Sequence, residues 1–181
     1  RLAEAGAVII LNISASNEVV GKAAYRRQLV VGQSGRLCCG YVYADAGEGE
    51  STTDVVFTGH NMIAENGALL AERRFAAGLT ISEIDVQRLL YERRRLTTFP
   101  PAYEFQEGRS GAVSHAWAEF TPCETKLTRY VSPTPFIPEN EADRAGRCEE
   151  ILTIAALGLK KLLEHTGAKT AVVGLSGGLD S

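Results

Sequence analysis

The segment 176–181 has the composition of a loop that binds a phosphate group. It reads Ser176-Gly-Gly-Leu-Asp-Ser181 and directly follows the apolar segment 171–175. Adjacent glycines allow a backbone turn that points several N–H groups at one anion, and the serine hydroxyls add donors. Asp180 would repel a phosphate, so its expected role is to hold the Mg²⁺ that accompanies a nucleotide. The alternative is a simple turn between a strand and a helix, which two bare glycines would favour but the full hexapeptide does not.

The cysteines and histidines lack the spacing of a catalytic or metal site. Cysteines stand at positions 38, 39, 123 and 148, with no Cys-x-x-Cys pair. We expect reduced, mostly buried thiols, with Cys38 and Cys39 on opposite faces of a strand. A thiol without a nearby base is normally inert. The three histidines are interpreted as structural or surface residues: His60, His115 and His165.

Apolar periodicity predicts alternating strands and helices upstream of the glycine-rich loop. Segment 6–13 is typical of a strand buried on both faces, and Asn66-Gly67 is a strong hairpin signal. The predicted strands are 6–13, 38–46, 54–58, 60–64, 68–72, 79–84, 112–120 and 171–175. The predicted helices are 21–37, 86–96 with Asp85 as its N-cap, and 141–165. Such an order is expected of an α/β layered domain.

A proline-rich segment divides the chain. Residues 132–138 contain three of the six prolines, and residues 131–140 are the predicted linker. Gly167 is placed to end the helix that follows. We therefore predict three parts: residues 1–130, the linker 131–140, and residues 141–181.

Composition and charge limit the classes of partner. The 181 residues are 45% hydrophobic and 23% charged, with a formal net charge of −3. No basic run is long enough to follow a nucleic-acid backbone, and Arg93-Arg94-Arg95 is interpreted as a solvated helix face. No apolar segment is long enough to span a bilayer. We expect no nucleic-acid or membrane partner, and the cysteine usage favours the cytoplasm.

The hexapeptide SGGLDS resembles the SGGxDS pyrophosphate loop of the ATP pyrophosphatase superfamily. It is not a Walker motif, because no lysine follows the glycines. Members of the superfamily cleave ATP between the α and β phosphates, adenylylate a carboxylate or carbonyl oxygen, and let a nitrogen or sulfur nucleophile displace AMP. The resemblance implies ATP with Mg²⁺, no prosthetic group, and Asp180 as a Mg²⁺ ligand. The implied ATP-binding residues are Gly174, Leu175, Ser176, Gly177, Gly178, Leu179, Asp180 and Ser181.

Four upstream segments resemble the nitrilase-type glutaminase domain of glutamine-dependent NAD⁺ synthetases. They are residues 12–22 with Arg26-Arg27, residues 41–54, residues 59–67 and, more weakly, residues 85–99. GMP and asparagine synthetases carry other glutaminase types ahead of this loop. The resemblance implies an α/β fold with two parts. The first is a partial nitrilase-like α-β-β-α layered sandwich, and the second is the first helix, strand and P-loop of a Rossmann-like ATP pyrophosphatase domain.

This resemblance implies a ligase that makes NAD⁺ from deamido-NAD, ATP and glutamine. Glutamine would be hydrolysed to ammonia, which attacks the adenylylated carboxylate of deamido-NAD. The family's catalytic cysteine, glutamate and lysine precede the matching segment, so no catalytic residue is assigned here. Ser16 and Lys22 match the family's glutamine-binding positions, although other members often have arginine in place of Lys22. Without the resemblance, Ser16 would be interpreted as an N-cap or loop serine and Lys22 as a solvated helix lysine.

The resemblance also implies a cytoplasmic homo-oligomer, and we expect the 181 residues alone to be inactive. Two alternatives stay open at this point. A stand-alone nitrilase-branch amidohydrolase accounts for residues 6–99 but not for the linker and the phosphate loop. A non-catalytic oligomerisation module is the other alternative.

Overall fold

A computed structural model describes residues 1–51, 54–99, 114, 116–121, 123 and 125–178. The chain divides into two compact units, Arg1–Arg129 and Tyr130–Ser181. The architecture is mixed α/β, with four strands and three helices in the described part of the chain.

The first unit contains a four-stranded sheet in the order β1-β2-β3-β4. Its elements are β1 (Ile9–Ser14), α1 (Lys22–Arg36), β2 (Gly40–Asp45), β3 (Asn61–Glu65), β4 (Ala68–Arg73) and α2 (Val86–Arg95). Strands β1 and β2 are parallel and are connected through α1, whereas β2–β3 and β3–β4 are antiparallel. The register of the parallel pair places Ser14 beside Asp45. The carboxyl ends of both strands therefore lie at one edge of the sheet, where α/β folds usually bind their ligands.

Helix α1 packs its buried face against the sheet. The buried residues Arg26, Val30 and Ser34 recur every four positions, so they share one face of the helix. Val30 contributes to the hydrophobic core, whose other members are Tyr43, Met62 and Ala64. This packing removes apolar surface from water at one end of the helix face, while Arg26 occupies the other end.

The expected hairpin at Asn66-Gly67 is confirmed. Both residues have positive φ, 45° and 85°, as a tight two-residue connection requires. The Ser34 hydroxyl accepts a hydrogen bond from the Gly67 N–H at 2.9 Å. A Cβ atom at Gly35 would lie 3.2 Å from Gly67 Cα, so the glycine lets the helix approach the hairpin closely. The turn thereby fixes the position of α1 along the sheet.

Two expected strands among residues 1–99 are not formed. Residues 54–58 make isolated backbone hydrogen bonds, from Glu18 to Val56 and from Phe75 to Thr58, instead of a ladder. Residues 79–84 are irregular because side chains, not a neighbouring strand, hold them in place. Ile84 packs directly over Gly40, and the next residue, Asp85, donates its N–H to the buried Glu65 carboxylate at 2.6 Å.

The cysteine pair also differs from the expectation. Cys38 and Cys39 are buried, but they lie in the turn between α1 and β2 and not in a strand. Cys38 has a positive φ of 44°, because the chain reverses there. Cys123 and Cys148 are exposed, so only half of the thiols are buried as predicted.

Arg93 is not part of a solvated face, which corrects the interpretation of Arg93-Arg94-Arg95. Its guanidinium donates hydrogen bonds to the carbonyl oxygens of Leu37 at 3.1 Å, Cys38 at 3.0 Å and Ala7 at 2.7 Å. Carbonyl groups at the end of a helix lack intrahelical donors, and a cation there also offsets the negative end of the helix dipole. Arg94 and Arg95 are exposed.

The second unit contains α3 (Glu141–Thr166), close to its expected span. Asn140 caps its amino end by accepting from the Asp143 N–H at 2.7 Å, and Gly167 ends it in the left-handed conformation with φ of 65°. Segment 171–175, expected to be a strand, is irregular because the described part of this unit holds no strand for it to pair with. In the first unit, the expected strand at 112–120 is likewise not formed at residues 114 and 116–120, and its other residues lie outside the described ones.

We predict that Arg93 stabilises the fold and that its neighbour Arg94 does not. Arg93→Met keeps the apolar stem but leaves three carbonyl groups without their donor, so it should lower the free energy of unfolding by about 1–3 kcal/mol. The matched variant Arg94→Met should change it by less than about 0.5 kcal/mol. Thermal denaturation of the two variants measures the difference, and equal melting temperatures would contradict the assigned role.

Candidate functional site

The loop after β1 lies at the carboxyl edge of the parallel strands. The Ser16 N–H donates to Asp45 Oδ1 at 2.8 Å, which ties the loop to the end of β2. Asp45 is held in turn, because its own N–H donates to Asn61 Oδ1 at 2.9 Å. The site is therefore positioned by three strands, β1, β2 and β3.

A buried arginine occupies the centre of this loop. The Arg26 side chain is 4% exposed. Its Nη1 donates to Glu18 Oε2 at 3.0 Å and to His60 Nδ1 at 2.8 Å. Its Nη2 donates to the Ser16 carbonyl oxygen and to Ser16 Oγ, both at 3.2 Å. Its Nε lies 3.7 Å from Asp45 Oδ2. One cation thus joins a loop, a helix and two strand ends.

Glu18 is the main anionic partner of this arginine. Its carboxylate is 8% exposed and also accepts from Thr58 Oγ1 at 2.7 Å and pairs with Arg74 Nη2 at 3.2 Å. Burial alone would raise the pKa of Glu18. The hydrogen bonds from Thr58 and Arg26 and the charges of Arg26 and Arg74 outweigh burial and lower the pKa to about 2.

His60 is fully buried between Arg26 and Glu72. Its Nε2 lies 2.6 Å from Glu72 Oε1, and Arg27 contacts the same carboxylate through two nitrogens. An arginine only donates, so Nδ1 must accept, and the ring proton is assigned to Nε2. Burial raises the pKa of Glu72, but hydrogen bonds from Arg27 and His60 dominate and lower it.

The two residues predicted to bind glutamine lie close together in sequence and structure: Ser16 is in the loop after β1, and Lys22, at the start of α1, contacts the same loop. Both are half-buried, and Lys22 Nζ donates to the Asn17 carbonyl oxygen at 2.7 Å and to Asn17 Oδ1 at 2.8 Å. Within the described residues, Lys22 has no carboxylate within ion-pair distance, since both of its acceptors are neutral. Their assignment to glutamine stays a prediction.

The predicted ATP-binding residues lie in the second unit. Gly174, Leu175, Ser176, Gly177 and Gly178 are exposed, and Gly177 has a positive φ of 84°. That conformation is compatible with a turn that directs backbone N–H groups at an anion. Leu179, Asp180 and Ser181 lie outside the described residues, so the ATP and Mg²⁺ assignments stay predictions.

The remaining candidate groups do not form a second site. Burial raises the pKa of Cys38, and it raises that of Cys39 to about 11, which keeps both thiols protonated. In the described part of the chain, no group of three or more His, Cys, Asp or Glu side chains is arranged to hold a metal ion. No helix in that part is long and apolar enough to cross a membrane.

Sequence analysis gave no site role to the residues that hold the loop, although Arg26 was part of a matching segment and His60 was interpreted as a structural or surface residue. These residues are Glu18, Arg26, His60 and Glu72. A further signal was the spacing of Lys22 and Arg26, four residues apart on a helix and therefore on neighbouring turns of one face. Nothing in the residue types indicated that Arg26 is buried.

The lowered pKa of Glu18 predicts an acid-dependent loss of stability. Its ordinary pKa is 4.5 and its folded pKa is about 2, so its charged form stabilises the fold above the first value and loses that contribution as pH falls toward the second. Glu18→Gln should be less stable at neutral pH and should lose less stability over this acid range. Melting temperatures across the range test this, with the exposed loop residue Glu48→Gln as control. An acid profile in Glu18→Gln equal to that of the unsubstituted protein would contradict it.

The chain is similar over nearly its whole length to known enzymes of one kind. No protein-family model matches it. It is 38% identical over 182 residues to the glutamine-dependent NAD(+) synthetases of Mycobacterium bovis and Mycobacterium tuberculosis, and 37% identical to that of Mycobacterium leprae. Each comparison covers 98% of this chain and 27% of the relative. A crystal structure of a glutamine-dependent NAD(+) synthetase from Cytophaga hutchinsonii is 36% identical, with a TM-score of 0.40 over 44% of this chain and 14% of that chain. Over nearly all of its length, the chain is thus similar to glutamine-dependent NAD(+) synthetases, and it spans 27% of the length of the relatives that it matches.

Proposed function

We propose that the chain is part of a ligase that makes NAD⁺ from deamido-NAD, ATP and glutamine. The observation that carries this proposal is the 38% identity to glutamine-dependent NAD(+) synthetases over 98% of the chain. In the reaction, the carboxylate of deamido-NAD attacks the α-phosphorus of ATP and pyrophosphate leaves. Ammonia released from glutamine then attacks the adenylylated carbonyl carbon, AMP leaves with the bonding electrons, and a proton lost from nitrogen completes the amide.

The finer architecture is also part of the proposal. We assign the first unit to a nitrilase-like layered sandwich and the residues from 141 onward to a Rossmann-like ATP pyrophosphatase domain. The parallel β1–α1–β2 arrangement, with a loop site at the strand ends, is compatible with the first assignment. Residues 174–181 would receive the pyrophosphate of ATP, and Asp180 would hold Mg²⁺, which neutralises phosphate charge when bound.

In the proposed glutamine site, Ser16 and Lys22 offer hydrogen-bond donors to oxygen atoms of the amino acid. The Ser16 hydroxyl accepts a bond from Arg26, a contact that does not use the hydroxyl proton, so that proton is able to be donated to a ligand oxygen. Lys22 uses two of its three N–H bonds on neutral acceptors, and its charge suits the glutamine α-carboxylate. Lys22 also opens α1, where the helix dipole disfavours a cation. Helix stability therefore does not account for this lysine.

The first prediction from this proposal concerns the nitrogen source. The full-length enzyme, supplied with ATP and deamido-NAD, should form NAD⁺, AMP and pyrophosphate with either glutamine or ammonium. Substitution of the catalytic cysteine upstream should abolish the reaction with glutamine and leave the reaction with ammonium. Chromatographic measurement of NAD⁺ distinguishes these cases, and the absence of NAD⁺ with both nitrogen sources would contradict the proposal.

The second prediction concerns Ser16 and Lys22. Ser16→Ala and Lys22→Ala should each raise the KM for glutamine by about tenfold or more, because each loses a hydrogen bond to a charged group. Lys22→Arg keeps the charge and should retain most of the affinity. Steady-state kinetics with glutamine and with ammonium provide the measurement. A glutamine KM that none of the three substitutions changes would remove both residues from the site.

A further inference from the structure

We propose that Arg26 is a positioning residue for glutamine, holding the Ser16 loop in its binding conformation, and that His60 keeps Arg26 in place. This inference rests on the proposed glutamine site. It assigns a role to a cluster of buried charged side chains in the described part of the first unit, none of which the proposed reaction uses directly.

The contacts of Arg26 fix Ser16 in two ways. One nitrogen, Nη2, donates to both the carbonyl oxygen and the hydroxyl oxygen of Ser16, each at 3.2 Å. This pair of contacts sets the direction of the side chain relative to its own backbone. The Ser16 N–H is held separately by Asp45 at 2.8 Å. Every polar group of Ser16 is therefore oriented by a buried side chain.

Arg26 acts together with Lys22 on one face of α1. The two residues are one helical turn apart, and they hold consecutive loop carbonyls, Ser16 through Arg26 and Asn17 through Lys22. The loop is thus wrapped over the first turns of the helix. No side-chain cap competes with these contacts at the start of the helix, because the N-cap residue is Gly21. Lys22, which is proposed to bind the glutamine carboxylate, is therefore held by the same loop contacts as Ser16.

The charges around Arg26 are balanced without Lys22. The carboxylates of Glu18, Asp45 and Glu72 face three guanidinium groups, those of Arg26, Arg27 and Arg74. A neutral His60 adds no charge to this set. The cluster therefore carries no excess charge that would attract a ligand. Its proposed effect on glutamine binding is to fix the position of Ser16. This distinguishes a positioning role from direct binding.

The His60 ring supplies a hydrogen-bond acceptor for the Arg26 guanidinium. It is 0% exposed, and its Nδ1 accepts from Arg26 at 2.8 Å while Glu72 fixes the opposite side of the ring at 2.6 Å. Removal of this acceptor would leave a buried guanidinium N–H unpaired, which is costly in a dry environment. The guanidinium would then shift toward other acceptors and move the loop with it.

A double-mutant cycle on the full-length enzyme tests whether Arg26 acts through Ser16. Arg26→Lys, Ser16→Ala and the double variant are compared with the unsubstituted enzyme by kcat/KM for glutamine. Lysine keeps the charge but loses the two-pronged contact. Each single substitution should lower kcat/KM by about tenfold or more, mainly through KM. The double variant should lose little more than the larger single loss, because both changes disable the same hydroxyl. Synthesis supported by ammonium reports that each variant is folded.

The outcomes separate this inference from the proposed function. Losses that multiply in the double variant, or an unchanged glutamine KM in Arg26→Lys, would overturn the positioning role while the glutamine reaction stands. Absence of NAD⁺ from the unsubstituted enzyme with both nitrogen sources would overturn the proposed function and this inference with it.

If Arg26→Lys also loses the reaction with ammonium, a second pair of variants tests whether Arg26 must be held in place for glutamine binding. His60→Asn offers an amide oxygen near the place of Nδ1, whereas His60→Leu has a similar size and no acceptor. The leucine variant should raise the KM for glutamine by about tenfold, and the asparagine variant by several-fold less. Equal increases, or no increase in either variant, would show that the His60 contact does not hold Arg26 for glutamine.

Discussion

A guanidinium that is taken out of water needs partners for its donors, and this requirement organises the first unit around Arg26. Its acceptors come from the loop after β1, from Glu18 and from His60 before β3, and the Asp45 carboxylate at the end of β2 adds an opposite charge 3.7 Å from Nε. An unpaired charge inside a protein lowers the free energy of unfolding by more than most point substitutions do. Each acceptor is therefore held by further contacts, such as those of Glu72 with His60 and Arg27. These contacts fix the conformation of the loop after β1.

The sheet supplies the frame on which the network is built. A parallel connection through α1 places the ends of β1 and β2 side by side, and the same helix carries Lys22 and Arg26 on the face toward the loop. The apolar contacts of Val30 and the Ser34 contact with Gly67 hold the other end of that helix to β3 and the hairpin. Fold and site are thus connected through α1, in which one face is apolar at one end and charged at the other.

The sequence predicted the elements that carry a local signal. Helices α1, α2 and α3 have a clear apolar periodicity or capping residues, and Asn66-Gly67 is a typical hairpin turn. Segments 54–58, 79–84 and 171–175 are apolar enough for strands, but a strand also needs a neighbour in register, which residue types alone do not reveal. In the site, Ser16 and Lys22 were named through a family resemblance and remain predictions. The burial of Arg26, Glu18 and His60 was not predicted because it depends on contacts between residues 34 and 40 positions apart along the chain. Arg93 was misjudged for the same reason, since one of its contacts joins residues 86 positions apart.

The central claim is that Arg26 determines the conformation of the loop that carries Ser16. Crystal structures of the full-length enzyme and its Arg26→Lys variant, obtained under the same conditions, test it directly. We expect the variant to keep the four-stranded sheet and α1 but to show Ser16 Oγ displaced by about 1 Å or more, a distance that matters for productive binding. An unchanged loop, with Ser16 Oγ in its original place, would contradict this role of Arg26.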